Sequence, residues 1–189
     1  MFGIYYLDNS WRFNMAIGVS AWFDEKSEHQ IRMIWKDLHE RSINSTLHTG
    51  PYRPHITFGI NEKLNVDKFA ESIQNKLGGN GPIPFILPSI GIFTEPLAGI
   101  FNVTVTDELL KFHDTVQKLM AKYGSDQVPY YLPGRWNPHC TLAPDLTKDK
   151  LSDFAKYAAG LQLPIEGMIN RIGVIDTPAE IELYEIMLA

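Results

Sequence analysis

The sequence is poor in the residues that would tie it to an oxidising compartment, a membrane or a long nucleic acid. It has one cysteine, Cys140, which excludes an intrachain disulfide and fits a reducing compartment. No window approaches 18 uninterrupted apolar residues, so no membrane-spanning helix is expected. The N-terminal residues Met1 to Asp8 lack both the basic region and the apolar run of a signal peptide, and a cytoplasmic protein is the expectation. Basic residues are outnumbered, with 17 Lys plus Arg against 22 Asp plus Glu, for a formal net charge of −5. That balance argues against a surface that grips long nucleic acid through many phosphates, but it leaves room for a local pocket for one or two. Metal-ligand spacing is missing too: His29, His39 and His48 form neither His-x-His nor His-Glu-x-x-His, so no metal and no cofactor are expected.

What is present is a short pattern that occurs twice. Tyr52-Arg53-Pro54-His55-Ile56-Thr57-Phe58 and Trp136-Asn137-Pro138-His139-Cys140-Thr141-Leu142 each read aromatic, polar, Pro, His, apolar, Thr, apolar. In a strand, side chains alternate faces with a period of two. His55 and Thr57 then share one face while Ile56 and Phe58 share the other, and the second copy behaves likewise. Cys140 reads as a small apolar residue pointing away from His139.

One such match proves little. With six histidines and nineteen serines plus threonines among 189 residues, His-x-Ser/Thr is expected about 0.6 times by chance. It occurs three times. The third, His113-Asp114-Thr115, lies in a predicted helix, has a polar centre and lacks the preceding proline. Positions i and i+2 of a helix diverge, so this match is read as a coincidence.

The two strand copies also sit in a longer repeat. Asp24-Glu25 matches Asp107-Glu108, Gly50-Pro51-Tyr52 matches Gly134-Arg135-Trp136, and Ile90-Gly91-Ile92-Phe93 matches Ile172-Gly173-Val174-Ile175, all at offsets of 82 to 84 residues. A near-constant offset through several elements indicates a duplicated unit. Strands are predicted at 15–23, 55–60, 84–93, 100–106, 139–143, 164–175 and 180–188, the last alternating Ile181 and Leu183 with acidic residues. Helices are predicted at 25–41 after Asp24, 66–77 after Asn65, 108–122 after Asp107, and after Thr147 to near Gly160. Residues 43–54 and 123–137 read as loops. The aromatic-rich arm 1–13 is expected to pack on the body. Residues 1–189 are expected to form one domain of two repeats, about 14–95 and 96–189, whose motif strands face each other across a groove.

Two histidines on opposite sides of a groove can serve as one acid and one base near neutral pH. That suits in-line displacement at phosphorus, with each threonine hydroxyl donating to a non-bridging oxygen. Arg53 and Arg135 are candidates to meet phosphate charge. Tyr52 and Trp136 are candidates to stack on a base, with packing under the motif strand as the competing reading, weighted above stacking for Trp136. Tyr130 and Tyr131, in the loop before the second motif, are expected to be freer to reach the cleft.

The paired pattern in a duplicated chain resembles the 2H phosphoesterase superfamily, which includes the LigT-like 2′-5′ RNA ligases and cyclic nucleotide phosphodiesterases. The resemblance covers roughly residues 14–188. It implies an α+β, bilobal, pseudo-twofold fold in which two antiparallel sheets line a central cleft with helices outside. It also implies metal-independent hydrolysis of 2′,3′-cyclic phosphates, or of 2′-5′ or 3′-5′ phosphodiesters, in a small nucleotide or at an RNA 3′ end. His55 and His139 take the acid and base roles by motif match, Thr57 and Thr141 the phosphate contacts. His139 is assigned as base and His55 as acid. Open alternatives are 2′-5′ RNA ligation, hydrolysis of signalling oligonucleotides, and a nucleotide-binding module without turnover. A monomer is expected.

Overall fold

A computed structural model of the chain describes residues 16–177 and 179–188; the predicted packing of arm 1–13 lies outside them. β1 (Ile17–Phe23) is buried at every position rather than at alternate ones, because both faces of this central strand are covered. Asp24 then caps α1 (Glu25–Glu40), its carboxylate accepting from the Ser27 backbone amide at 2.9 Å. The helix buries Ile31, Trp35 and Leu38 at helical spacing. The predicted loop 43–54 contains a single short helix, α2 (Thr46–Thr49). The first motif opens β2 (His55–Leu64), and Asn65 caps α3 (Val66–Leu77), which Gly78 terminates.

The strand predicted over 84–93 is two strands. β3 (Ile83–Leu87) and β4 (Ser89–Thr94) belong to different sheets, and Pro88 separates them. Proline has no N–H for the ladder, so a strand breaks and the chain can change sheets there. β5 (Leu97–Asn102) starts earlier than predicted because Leu97 pairs with Thr94 across a tight hairpin. Thr106, not Asp107, caps α4 (Asp107–Tyr123), its hydroxyl accepting from the Leu109 amide at 3.1 Å. The helix buries Leu109, Phe112, Val116, Leu119 and Met120 at helical spacing.

The supposed loop 123–137 carries β6 (Gly124–Gln127) and a 3₁₀ turn over Pro129–Tyr131. β7 (His139–Ala143) is the second motif. α5 (Leu151–Ala158) is capped by Lys150 rather than Thr147. β8 (Ile165–Asp176) and β9 (Ile181–Met187) complete the fold. In β9 the predicted inward residues Ile181 and Leu183 are exposed, and Ile186 is buried instead. Ile186 stands opposite the buried Ile172 of β8, whereas Ile181 pairs with the partly exposed Asp176 at the end of the strand.

Two antiparallel sheets result, in an α+β fold. The larger runs β3-β8-β1-β2-β6, with β9 on the free side of β8; the smaller runs β4-β5-β7. The common kernel is β8-β1-β2 in one and β4-β5-β7 in the other. Each kernel therefore holds the first strand and motif strand of one repeat, plus the third strand of the other repeat.

Candidate active site

The two motif strands carry their histidines in the same way. His55 Nδ1 lies 2.7 Å from the Arg53 carbonyl, and His139 Nδ1 lies 2.8 Å from the Asn137 carbonyl. A carbonyl only accepts, so Nδ1 carries the proton in both rings and donates it. Nε2 is then the titrating atom of each. His55, Thr57, His139 and Thr141 are all partly open to solvent, whereas Ile56, Phe58, Cys140 and Leu142 are buried. The predicted alternation of faces holds in both copies.

The two strands approach each other. Cys140 Sγ meets the His55 backbone, and burial pushes the Cys140 thiol up to about 12, which makes it an inert packing residue. Burial among protein atoms lowers the pKa of both imidazoles. For His55 the nearby charge of His139 lowers it further, against an opposing contribution from its hydrogen bond to Arg53.

Indole N–H groups brace both threonines. Trp136 Nε1 donates to the Thr57 carbonyl at 2.9 Å, and Trp35 Nε1 on α1 donates to the Thr141 carbonyl at 3.3 Å. Each brace comes from the repeat that does not contain the threonine. Trp136→Phe keeps the aromatic packing and removes one N–H. It is expected to cost about 1 kcal/mol of unfolding free energy in a urea titration.

The other candidate residues separate. Trp136 lies flat on His113, with centroids 3.9 Å apart and planes 1° apart, and meets Phe58 at its edge, so one face is covered by protein. Tyr52 is buried with the core on the Ile56 side of the motif. Tyr131, expected to be free to reach the cleft, is buried against Ile60 and Val128, and its phenol is pushed up to about 12 by burial. Tyr130 is exposed, as is Arg135. Arg53 lies on the cleft face but is ion-paired to Glu28, Glu182 and Glu185. His113 of the coincidental match is buried in α4 with Nε2 at 2.8 Å from the Tyr131 carbonyl, while Thr115 bonds back to Lys111 on the exposed side of the helix.

Three neighbours of the histidines escaped sequence reading. Trp22 sits opposite His55 across the β1–β2 pair, and Arg171 sits opposite Trp22 across the β1–β8 pair, placing all three on one face. Phe93 meets the His139 ring edge-on, with centroids 4.8 Å apart. Phe93 closes the repeated segment 90–93 and Arg171 immediately precedes its counterpart 172–175, which was the available signal. Among the described residues, no group of three or more His, Cys, Asp or Glu side chains could hold a metal ion. No helix among them is long and apolar enough to cross a membrane.

Two antiparallel sheets with a His-x-Thr strand in each, the strands approaching one another, define the class: a two-histidine protein of α+β architecture. The sequence matches the family described as the 2′-5′ RNA ligase superfamily over residues 61–179, more than half of its length. The chain belongs to that superfamily, whose other name is the 2H phosphoesterase superfamily. The matched segment contains His139 and Thr141 and begins after His55 and Thr57.

Several solved structures share the fold. TT0787 of Thermus thermophilus is 12% identical, with a TM-score of 0.60 over 92% of this chain and 98% of its own. Escherichia coli LigT in its apo form is 14% identical, with a TM-score of 0.54 over 92% of this chain and 97% of its own. Kluyveromyces marxianus Usb1 with uridine monophosphate is 12% identical, with a TM-score of 0.50 over 94% and 98%. No curated protein matches the sequence significantly.

Proposed function

We propose that the protein is a metal-independent phosphodiesterase that opens 2′,3′-cyclic phosphates of small nucleotides or RNA 3′ ends, with His55, Thr57, His139 and Thr141 as its reacting groups. The observation that carries this reading is the matched tether: each Nδ1 is held by the carbonyl two residues earlier, on motif strands that approach each other. In both rings Nε2 is thereby the atom that exchanges a proton. Structures of similar fold, LigT with 3′-AMP and Usb1 with uridine monophosphate, hold mononucleotides.

The reaction is an in-line displacement. His139 Nε2 takes a proton from water as the water oxygen bonds to phosphorus. The bond from phosphorus to O3′ breaks, and His55 Nε2–H delivers its proton to that oxygen, leaving a 2′-phosphate. The Thr57 and Thr141 hydroxyls donate to the non-bridging oxygens and hold phosphorus in line. The whole chain, residues 1–189, works as one cytoplasmic monomer in this reading.

The test is a panel of 2′,3′-cyclic mononucleotides, 2′-5′ oligoadenylate, cyclic dinucleotides and nicked RNA, each assayed with EDTA. Turnover of the cyclic mononucleotides with EDTA present supports the reading. Loss of turnover on chelation, or nucleotide binding with no turnover of any substrate, refutes it.

The pH dependence follows from the environment of the imidazoles. Burial favours the neutral ring, so both apparent pKa values of the pair fall below the ordinary 6.5. Activity rises with pH as the base deprotonates and falls as the acid does. The profile of kcat/KM is expected to be a bell with its maximum on the acid side of 6.5. An optimum above about pH 7 would contradict the assignment.

A further inference from the structure

Arg53 stands two residues before His55 and was a natural candidate for a phosphate ligand. Its surroundings argue for another use. A guanidinium binds phosphate through N–H groups that lie in its own plane. Here those groups point at carboxylates: Nη2 lies 3.4 Å from Glu28, and Nη1 lies 3.1 Å from Glu185 and 3.6 Å from Glu182. Arg171 shares Glu28 at 3.3 Å and Glu185 at 3.8 Å, and also donates to the Phe23 carbonyl at 2.8 Å. Arg32 also pairs with Glu28, at 2.9 Å, so three cations meet three carboxylates and the cluster has no surplus positive charge to offer a phosphate.

The faces of the guanidinium are a different matter. The guanidinium sits over the Trp22 indole, with Arg53 Cζ 4.3 Å from the ring centroid, a separation that suits a face-on approach. The ring beneath is almost fully buried, and Gly173 lets it lie flat, because a side chain there would overlap the indole. The Arg53 side chain keeps 25% of its surface exposed. With its edge turned to carboxylates and its underside on Trp22, the outward face is the surface left for a ligand. Trp22 pairs with His55 across adjacent strands, which are separated by about 4.8 Å. The platform therefore stands beside the reaction centre.

We infer that Arg53 is a stacking platform for the nucleobase of the substrate, held rigid by Trp22 below and by Glu28, Glu182 and Glu185 around its edge, and that it does not bind the scissile phosphate. This rests on the nucleotide reading of the site proposed above. The carboxylate rim fits such a role, since it fixes the plane and occupies the N–H groups that a phosphate would need. Arg53 is a positioning residue here: it holds the base so that the ribose presents its cyclic phosphate to the histidines.

The test compares ligands that differ only in the flatness of the base. Dissociation constants are measured calorimetrically for 3′-UMP, its 5,6-dihydrouridine analogue and inorganic phosphate. The wild-type protein and Arg53→Lys, which keeps the charge but loses the plane, are compared. The wild type is expected to bind 3′-UMP about tenfold more tightly than the puckered analogue, in line with stacking on a protein platform. In Arg53→Lys the ratio is expected to approach one, with phosphate binding unchanged. A ratio within a single protein does not depend on the fraction folded, so a partly unfolded variant still answers the question. A wild-type ratio near one, a ratio preserved in Arg53→Lys, or an equal loss of phosphate and nucleotide binding overturns the platform. Nucleotide binding with the expected ratios but no turnover leaves the platform standing and refutes only the enzymatic reading. No nucleotide binding by the wild type overturns the platform.

Discussion

Replacing His139 with alanine is expected to lower kcat on 2′,3′-cyclic nucleotides by about 10²–10⁴-fold, the usual contribution of a positioned general acid or base. The same is expected of His55→Ala. Both side chains keep part of their surface in solvent, so the variants should melt near the native temperature, and the loss reports on chemistry. The double variant should be little worse than either single one, because the two rings serve one proton exchange and their effects do not add.

The pH profiles separate the roles. Without its base, His139→Ala should lose the limb that rises with pH and keep only the falling one. His55→Ala should lose the falling limb. The reverse pattern would exchange the two assignments and leave the mechanism standing. Activity untouched by both substitutions would remove it.

Trp22→Ala is expected to cost about 3–5 kcal/mol of unfolding free energy, as large aromatic truncations in packed cores do. The ring is 2% exposed, sits on the central strand β1, and is packed between Arg53 and the backbone at Gly173. Truncation opens a hole that backbone on one side and an ion-paired arginine on the other are poorly placed to fill. Denaturant titration measures the loss. Gly173→Ala attacks the same contact from beneath and should cost about 1–3 kcal/mol by overpacking. A stability change below about 1 kcal/mol for Trp22→Ala would show that the indole is not a structural support.

Both motif strands were legible in the sequence because their information is local. Pro54 and Pro138 mark the entry, alternation fixes the faces, and the 84-residue spacing supplies the second copy. The helices were legible for the same reason, since Asp24 and Asn65 cap their own chain. What sequence reading missed is set by partners distant along the chain. The exchange of sheets at Pro88 depends on which strands wait on either side. The buried state of Tyr131 depends on Ile60 and Val128. The ion pairs around Arg53 depend on Glu182 and Glu185, which lie near the far end of the chain. Arg53 shares the face of His55, as two positions apart in an extended chain should, but that spacing says nothing about what else occupies the face.

The exchange of third strands has a consequence for how such a molecule can come apart. β4 leaves the first repeat to complete the sheet of the second, and β8 makes the return crossing. A half-length chain folded by these rules would lack one strand and carry a surplus one. Two such halves would satisfy each other only as an interlocked pair. Fusing them end to end converts that obligate dimer into a single chain whose two imidazoles can no longer be diluted apart.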